Sequence, residues 1–384
     1  MNIYRVLLVV GLLVLSGCNR SGEDTGNVIG TKSYPNGGKT LFDVISKSNT
    51  LEDINGGNVR DRGHYSMVYQ AKTSKNNLPL SGLNHDGFYT IFEDGVQINE
   101  TKFHVSQDSK TVSNKILLLL DFSGSIVDDC NKAGAASDVN NLCFQIVDSS
   151  KNFIDQIISS NQTMSIYYFN SKNKIQALWR SPDASDTTND KGSLKASLEK
   201  LYSADWRQQN LVGYNSTNLN GAVKDATSVV CRWFDDCTEG VSSEAGSLNQ
   251  QNYDFATIVV FTDGRDTAAK VSSSRMLSAL SLYKRNYYYT IGLGDVDDDV
   301  LESIGTNGFL KATQTDKLGE KFGELGDQLN AFSKSFYKLD FCPAQQGGTL
   351  DLRVDVDDKE RKFYGKIEES VRLIDGIDFR CDIP

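Results

Sequence analysis

Histidine is nearly missing from this 384-residue chain: there are three, His64, His85 and His104. None falls between Asn114 and Lys334, so that stretch lacks the usual base for a serine nucleophile. It has no G-x-S-x-G elbow either, and no Gly-rich phosphate loop ending in a lysine. Enzymes built on those groups are thereby excluded. Cysteine never occurs as C-x-x-C, and the histidines lie elsewhere, which argues against a zinc centre. Positive charge is in deficit, with 40 Lys and Arg against 50 Asp and Glu and a formal net charge of -10. An acidic, dispersed surface offers no electrostatic handle to nucleic acid or to anionic lipid, so no nucleic-acid partner is expected. The apolar run at the start, Val6 to Leu15, is too short to span a bilayer.

What is present is organised around Ile116 to Ser125, ILLLLDFSGS. Five consecutive aliphatic residues fit a strand buried on both faces, as in the middle of a parallel sheet. Asp121, Ser123 and Ser125 follow where that strand gives way to a loop, the place where open α/β sheets bind ligands. Thr217, in NSTNLNG, precedes a helical pattern carried by Ala222, Val223, Ala226, Val229 and Val230. A second buried strand, in ATIVVFTDGRD, ends in Asp263. Further strand signals at Met164–Phe169 and Tyr287–Gly294 alternate with helical spacings, at Phe144–Ile158, Leu194–Leu201, Ala268–Lys284, near Val300 and at Leu318–Leu329. Such alternation implies an α/β, doubly wound and mostly parallel sheet.

In this central stretch the chain resembles the von Willebrand factor type A family. Its metal-ion-dependent adhesion site reads Asp-x-Ser-x-Ser, then Thr, then Asp after a later strand. The matching residues are Asp121, Ser123, Ser125, Thr217 and Asp263, and the resemblance covers about 114–334. It implies that these residues hold one divalent ion and leave a position open for an Asp or Glu of a protein partner. Hydroxyls and carboxylates are hard donors, suited to Mg²⁺, Mn²⁺ or Ca²⁺. Capping of the following helices is the alternative use of Asp121, Ser123 and Thr217. The expectation is a binding protein rather than an enzyme. A scaffold with a purely structural metal is one alternative. A Mg-dependent phosphotransfer enzyme is another, although no nucleophilic Asp pair and no catalytic Lys stand out.

The flanks read differently. Residues 1–17 have the form of a secretory leader, and Leu15-Ser16-Gly17-Cys18 resembles a bacterial lipobox. That implies acylated Cys18, a lipid-anchored protein of the cell envelope, and, with Asn19 next, the outer membrane. Residues 18–61, rich in Gly, Ser, Asn and Asp, read as a flexible tether, with LFDVI at Leu41 to Ile45 able to dock. Alternating runs in 62–113 and again in 335–384 (YKLDF, TLDLRVDV, GIDFRC) read as two parts of one small antiparallel β-sandwich, into which the central domain is inserted. The six cysteines besides Cys18 suit an oxidising compartment. Sequence proximity pairs Cys130 with Cys143, Cys231 with Cys237, and Cys342 with Cys381. The polar stretch between Ser125 and Cys143 would then form a closed flap beside the ion, or an idle insertion. The acidic runs Asp295–Asp299 and Asp355–Glu360 lack EF-hand spacing and read as caps and turns.

Overall fold

The computed structural model describes residues 40–52, 62–73, 79–107, 112–159, 162–179, 186–211, 213, 215–234, 253–282, 286–345 and 347–373. The leader, Cys18, Cys237, Cys381, the GIDFRC segment and most of the polar segment after Trp233 lie outside them.

Five strands come first: β1 (Thr40–Glu52), β2 (Arg62–Thr73), β3 (Tyr89–Glu93), β4 (Val96–Gln97) and β5 (Phe103–Gln107). The central stretch follows with β6 (Val112–Asp121), α1 (Gly124–Cys130), α2 (Leu142–Ile157), β7 (Gln162–Phe169), β8 (Gln176–Ala177), α3 (Lys191–Leu198), α4 (Ala204–Asn210) and α5 (Leu219–Cys231). It ends with β9 (Tyr253–Thr262), α6 (Ser273–Ser281), β10 (Asn286–Leu293), α7 (Asp298–Ile304), β11 (Gly308–Ala312) and α8 (Leu318–Ser333). Three further strands, β12 (Phe336–Phe341), β13 (Gly348–Asp358) and β14 (Phe363–Leu373), complete the described chain.

The central sheet has the order β11-β10-β9-β6-β7-β8, parallel except for the short β8. Strand β6 explains the unbroken aliphatic run. Ile116, Leu118 and Leu120 point into a core shared with α1, α2, α3 and α8, whereas Leu117 and Leu119 point into a second core with α5, α6 and α7. All five are fully buried, and each contributes about 1.5–3 kcal/mol by leaving water. The expected α/β, doubly wound, mostly parallel sheet is therefore present. Its strand order reverses between β6 and β9, so the carboxyl ends of those two strands border the crevice where such sheets bind ligands.

Two antiparallel sheets, β1-β2-β12-β5 and β14-β13-β3-β4, enclose a separate apolar core. Strands β5 and β12 pair directly, Tyr337 opposite Gln107, and Gln107 Nε2 donates to Lys334 O at 2.8 Å. The chain thus leaves this pair of sheets for the central one and returns at neighbouring points.

Part of the segment whose composition reads as a tether is in fact a strand. Thr40–Glu52 pairs along β2, with a register shift between Val44 and Ser46. Phe42 and Val44 pack on the sandwich core, and the Phe42 ring meets Tyr69 edge-on at 5.6 Å. A strand finished by its neighbours needs few apolar residues of its own, which is why composition hides it. The helix expected over Ala268–Lys284 is confined to α6, where the Ser272 hydroxyl accepts from Arg275 N and starts it.

Candidate metal site

Asp121 ends β6 fully buried. Its Oδ1 accepts from Ser123 N at 2.9 Å and its Oδ2 from Thr262 Oγ1 at 2.6 Å. Burial, and then the charge of nearby Asp263, push its carboxyl up to about 7. Ser123, also buried, occupies the N-cap position of α1, yet its hydroxyl makes no capping bond. Capping therefore does not account for that serine. Ser125, in the first turn of α1, donates to Asp263 Oδ2 at 2.6 Å. This bond crosses from the end of β6 to the loop after β9.

Asp263 follows β9, and its carboxyl is also pushed up, by burial first and by the charge of Asp129, against the bond from Ser125. Its Oδ1 is buried with no hydrogen-bond partner among the described residues. Thr217 stands two residues before α5, whose N-cap is Asn218, so it does not cap that helix. Its backbone N donates to Thr267 Oγ1 at 2.9 Å, and its O accepts from Ala268 N at 2.9 Å, tying it to the loop that carries Asp263. A Cβ on Gly264 would lie 3.5 Å from Thr217 Oγ1, so only a glycine's width separates that hydroxyl from the residue after Asp263. On the other side, a Cβ on Gly124 would lie 3.2 Å from Asn215 O, bringing the Thr217 loop against the start of α1.

The three loops that carry Asp121, Ser123, Ser125, Thr217 and Asp263 thus meet at the switch point of the sheet. The donors are all oxygen, two of the residues are carboxylates pushed up by burial, and one carboxylate oxygen is left without a donor. Such a set fits a hard divalent cation better than it fits a network of its own hydrogen bonds.

Residues that sequence patterning did not single out complete the surroundings. Thr262 is fully buried and holds Asp121, while its hydroxyl also accepts from Gly264 N at 3.1 Å. It lies inside the strand signal, so nothing but its neighbour distinguishes it. Asp129 fastens the closed loop: Leu142 N donates to its Oδ2 at 3.3 Å, and Asn141 Nδ2 donates to its backbone O at 3.0 Å. Cys130 and Cys143 are joined as the short-loop pairing anticipates. Cys231 and Cys342 each take part in a disulfide as well. In the acidic runs, Asp297 caps α7, and Asp298 pairs with Lys311 at 2.8 Å.

Fold and site together describe a doubly wound α/β protein with an oxygen-donor crevice at its switch point. No family model and no curated protein sequence matches the chain. Among solved structures it is similar to the ArnB paralog VWA2 from Sulfolobus acidocaldarius, at 15% identity and a TM-score of 0.37, over 87% of this chain and 75% of that one. It is also similar to proximal thread matrix protein 1 from the mussel byssus with a zinc-occupied MIDAS motif, at 16% identity and a TM-score of 0.38. That match covers 63% of this chain and 50% of the mussel protein. A third is BatB from Bacteroides thetaiotaomicron, at 13% identity and a TM-score of 0.37, over 58% of this chain and 100% of that one.

Proposed function

We propose that this protein binds an acidic side chain of a protein partner through a divalent ion, Mg²⁺ first among the candidates, held by Asp121, Ser123, Ser125, Thr217 and Asp263. The observation that carries the reading is the 2.6 Å bond from Ser125 to Asp263, which joins two of the loops while Asp263 Oδ1 stays unpaired. A bound ion would present a positive, incompletely ligated centre to a carboxylate from outside. The residues of this chain supply the rest. Asp121 is oriented by Ser123 N and Thr262, and Thr217 is oriented through Thr267 and Ala268.

The anchoring part of the proposal is a leader at 1–17, lipid on Cys18, and a short tether ahead of the sandwich, putting the binding face outward from a cell-envelope membrane, the outer membrane first. No helix among the described residues is long and apolar enough to cross a membrane. The working division is a vWA-type domain at 114–334 between sandwich segments 62–113 and 335–384. Capture of a partner from detergent-solubilised cells without cross-linking, followed by elution with EDTA, tests the ion. The partner should elute with chelator and should not be captured by Asp121→Ala. Retention in both cases would leave only a scaffold role. Labelled palmitate entering the wild type but not Cys18→Ser tests the anchor.

A further inference from the structure

Beside Asp263 lies a cavity of about 550 Å³ that the metal reading leaves unused. It is bounded by the loop from Gly264 to Ser273, by the start of α5 and by the start of α7. Leu219, Val271 and Val300 give it aliphatic walls, and its polar residues include Asn220, Asp266 and Asp297.

The polar groups there are short of donors. Asn220 is 6% exposed, and its Nδ2 donates to Val271 O at 3.1 Å, which fixes the amide and leaves Oδ1 without a partner among the described residues. Asp266 Oδ1 accepts from Ala269 N at 3.1 Å, while its Oδ2 is likewise buried and unpartnered. The one cationic side chain on the lining, Arg265, turns outward to Asp295 at 3.1 Å, where the two side chains are 59% and 93% exposed. It does not neutralise Asp266. The starts of α5, α6 and α7 border the space and by themselves favour an anion, although Asp297 already caps α7. Two carboxylates on the same lining oppose one.

Unmet acceptors behind aliphatic walls match a side chain that has a long apolar stem and a head made only of donors. We propose that this cavity receives a lysine or arginine side chain of the partner, flanking the carboxylate taken by the ion. The partner segment would then carry an acid and a base close together, read at two points. This rests on the metal-binding proposal for the identity of the partner, but the cavity can be tested without the ion.

The probe is agmatine, a guanidinium on an aliphatic amine, added to the full ¹⁵N-labelled chain with Mg²⁺ or with EDTA. Amide signals of Gly264–Ser273 and Val300 should move in both conditions, with a dissociation constant on the order of millimolar for so small a ligand. Asp266→Asn, which keeps the acceptor for Ala269 N, should weaken the effect about tenfold. Val300→Phe, which fills the space without altering charge, should abolish it. Acetate is the parallel probe for the ion, expected to move Ser123 and Ser125 only when Mg²⁺ is present. Agmatine shifts without acetate shifts would keep the cavity assignment and remove the ion. Unmoved amides with agmatine, or shifts equal in the wild type and both variants, overturn the cavity assignment and leave its acceptors to water.

Discussion

Asp121 is buried beside a second carboxylate, with hydroxyl and amide donors around it but no cationic side chain bonded to it. Its charge therefore costs the metal-free fold, and a cation would relieve that cost. Asp121→Asn removes the charge, keeps an acceptor for Ser123 N and turns its amide nitrogen to donate to the Thr262 hydroxyl. We expect the metal-free variant to melt no lower than the metal-free wild type, while the rise in Tm that Mg²⁺ gives the wild type disappears. Calorimetry with and without Mg²⁺ reads both, and a variant that still gains stability from Mg²⁺ contradicts the assignment. Gly124→Ala probes the neighbouring contact. Its new methyl would sit 3.2 Å from Asn215 O, so the Thr217 loop must retreat by a few tenths of an ångström. Mg²⁺ affinity should fall several-fold with a stability loss below about 1 kcal/mol, as measured by titration calorimetry and urea melts. The five residues proposed to hold the ion could be singled out in the sequence because each stands at an edge of a strong apolar pattern. Thr262 and Asn215 could not. They act through contacts made only after β6, β9 and the Thr217 loop come together.

Helix α1 carries Ser125 at one end and Cys130 at the other, so whatever pins its end also aims its start. The pins are numerous. The Cys130–Cys143 disulfide joins α1 to α2, Arg207 Nε donates to Asn131 Oδ1 at 2.9 Å, and Asn141 caps α2 through Cys143 N and Phe144 N. Arg207 is 8% exposed and its guanidinium also donates to Leu201 O at 2.6 Å; burial moves its pKa downward. The double variant Cys130→Ser/Cys143→Ser opens a loop with a sequence separation of 13 and should cost about 2–3 kcal/mol. Its Mg²⁺ affinity should drop as well, because α1 loses its tether to α2. Urea denaturation and metal titration on the same samples check the two effects, and full affinity in a destabilised variant would show that the loop only braces the fold. The disulfide could be read from spacing, but α1 could not. Only Ile126 and Cys130 of its seven residues are buried, too few to set a helical period. Strand β14 escaped notice for a related reason, since charged residues such as Lys366 and Glu368 separate its few inward side chains, Ile367, Val371 and Leu373. The core helices α2, α5 and α8, with broad apolar faces, were plain.

Across the whole molecule the central sheet joins the sandwich through β5 and β12, so the sheet that holds those two strands anchors both ends of the central stretch. Asp340 sits near the end of β12, opposite Ser66 of β2 and His104 of β5. Burial raises its pKa, but hydrogen bonds from His64 and Ser66 and the charge and hydrogen bond of Lys338 outweigh that, so its carboxyl is held below the usual aspartate value. His64 approaches it at 3.2 Å and Lys338 at 3.0 Å. A carboxyl whose pKa is lower in the folded protein stabilises the fold above its unfolded value of 3.8, and loses that contribution as pH falls through the folded value. Asp340→Asn retains the shape and removes the charge. At neutral pH it should cost about 1 kcal/mol, and the gap to the wild type should close as the pH is taken below the ordinary aspartate range. Paired urea melts at neutral, mildly acid and strongly acid pH measure this. A gap that stays constant into strong acid would assign the cost to packing rather than to charge. If the gap closes, the β2–β12–β5 junction is an electrostatic clasp, and acid should loosen the sandwich around β12 through Asp340.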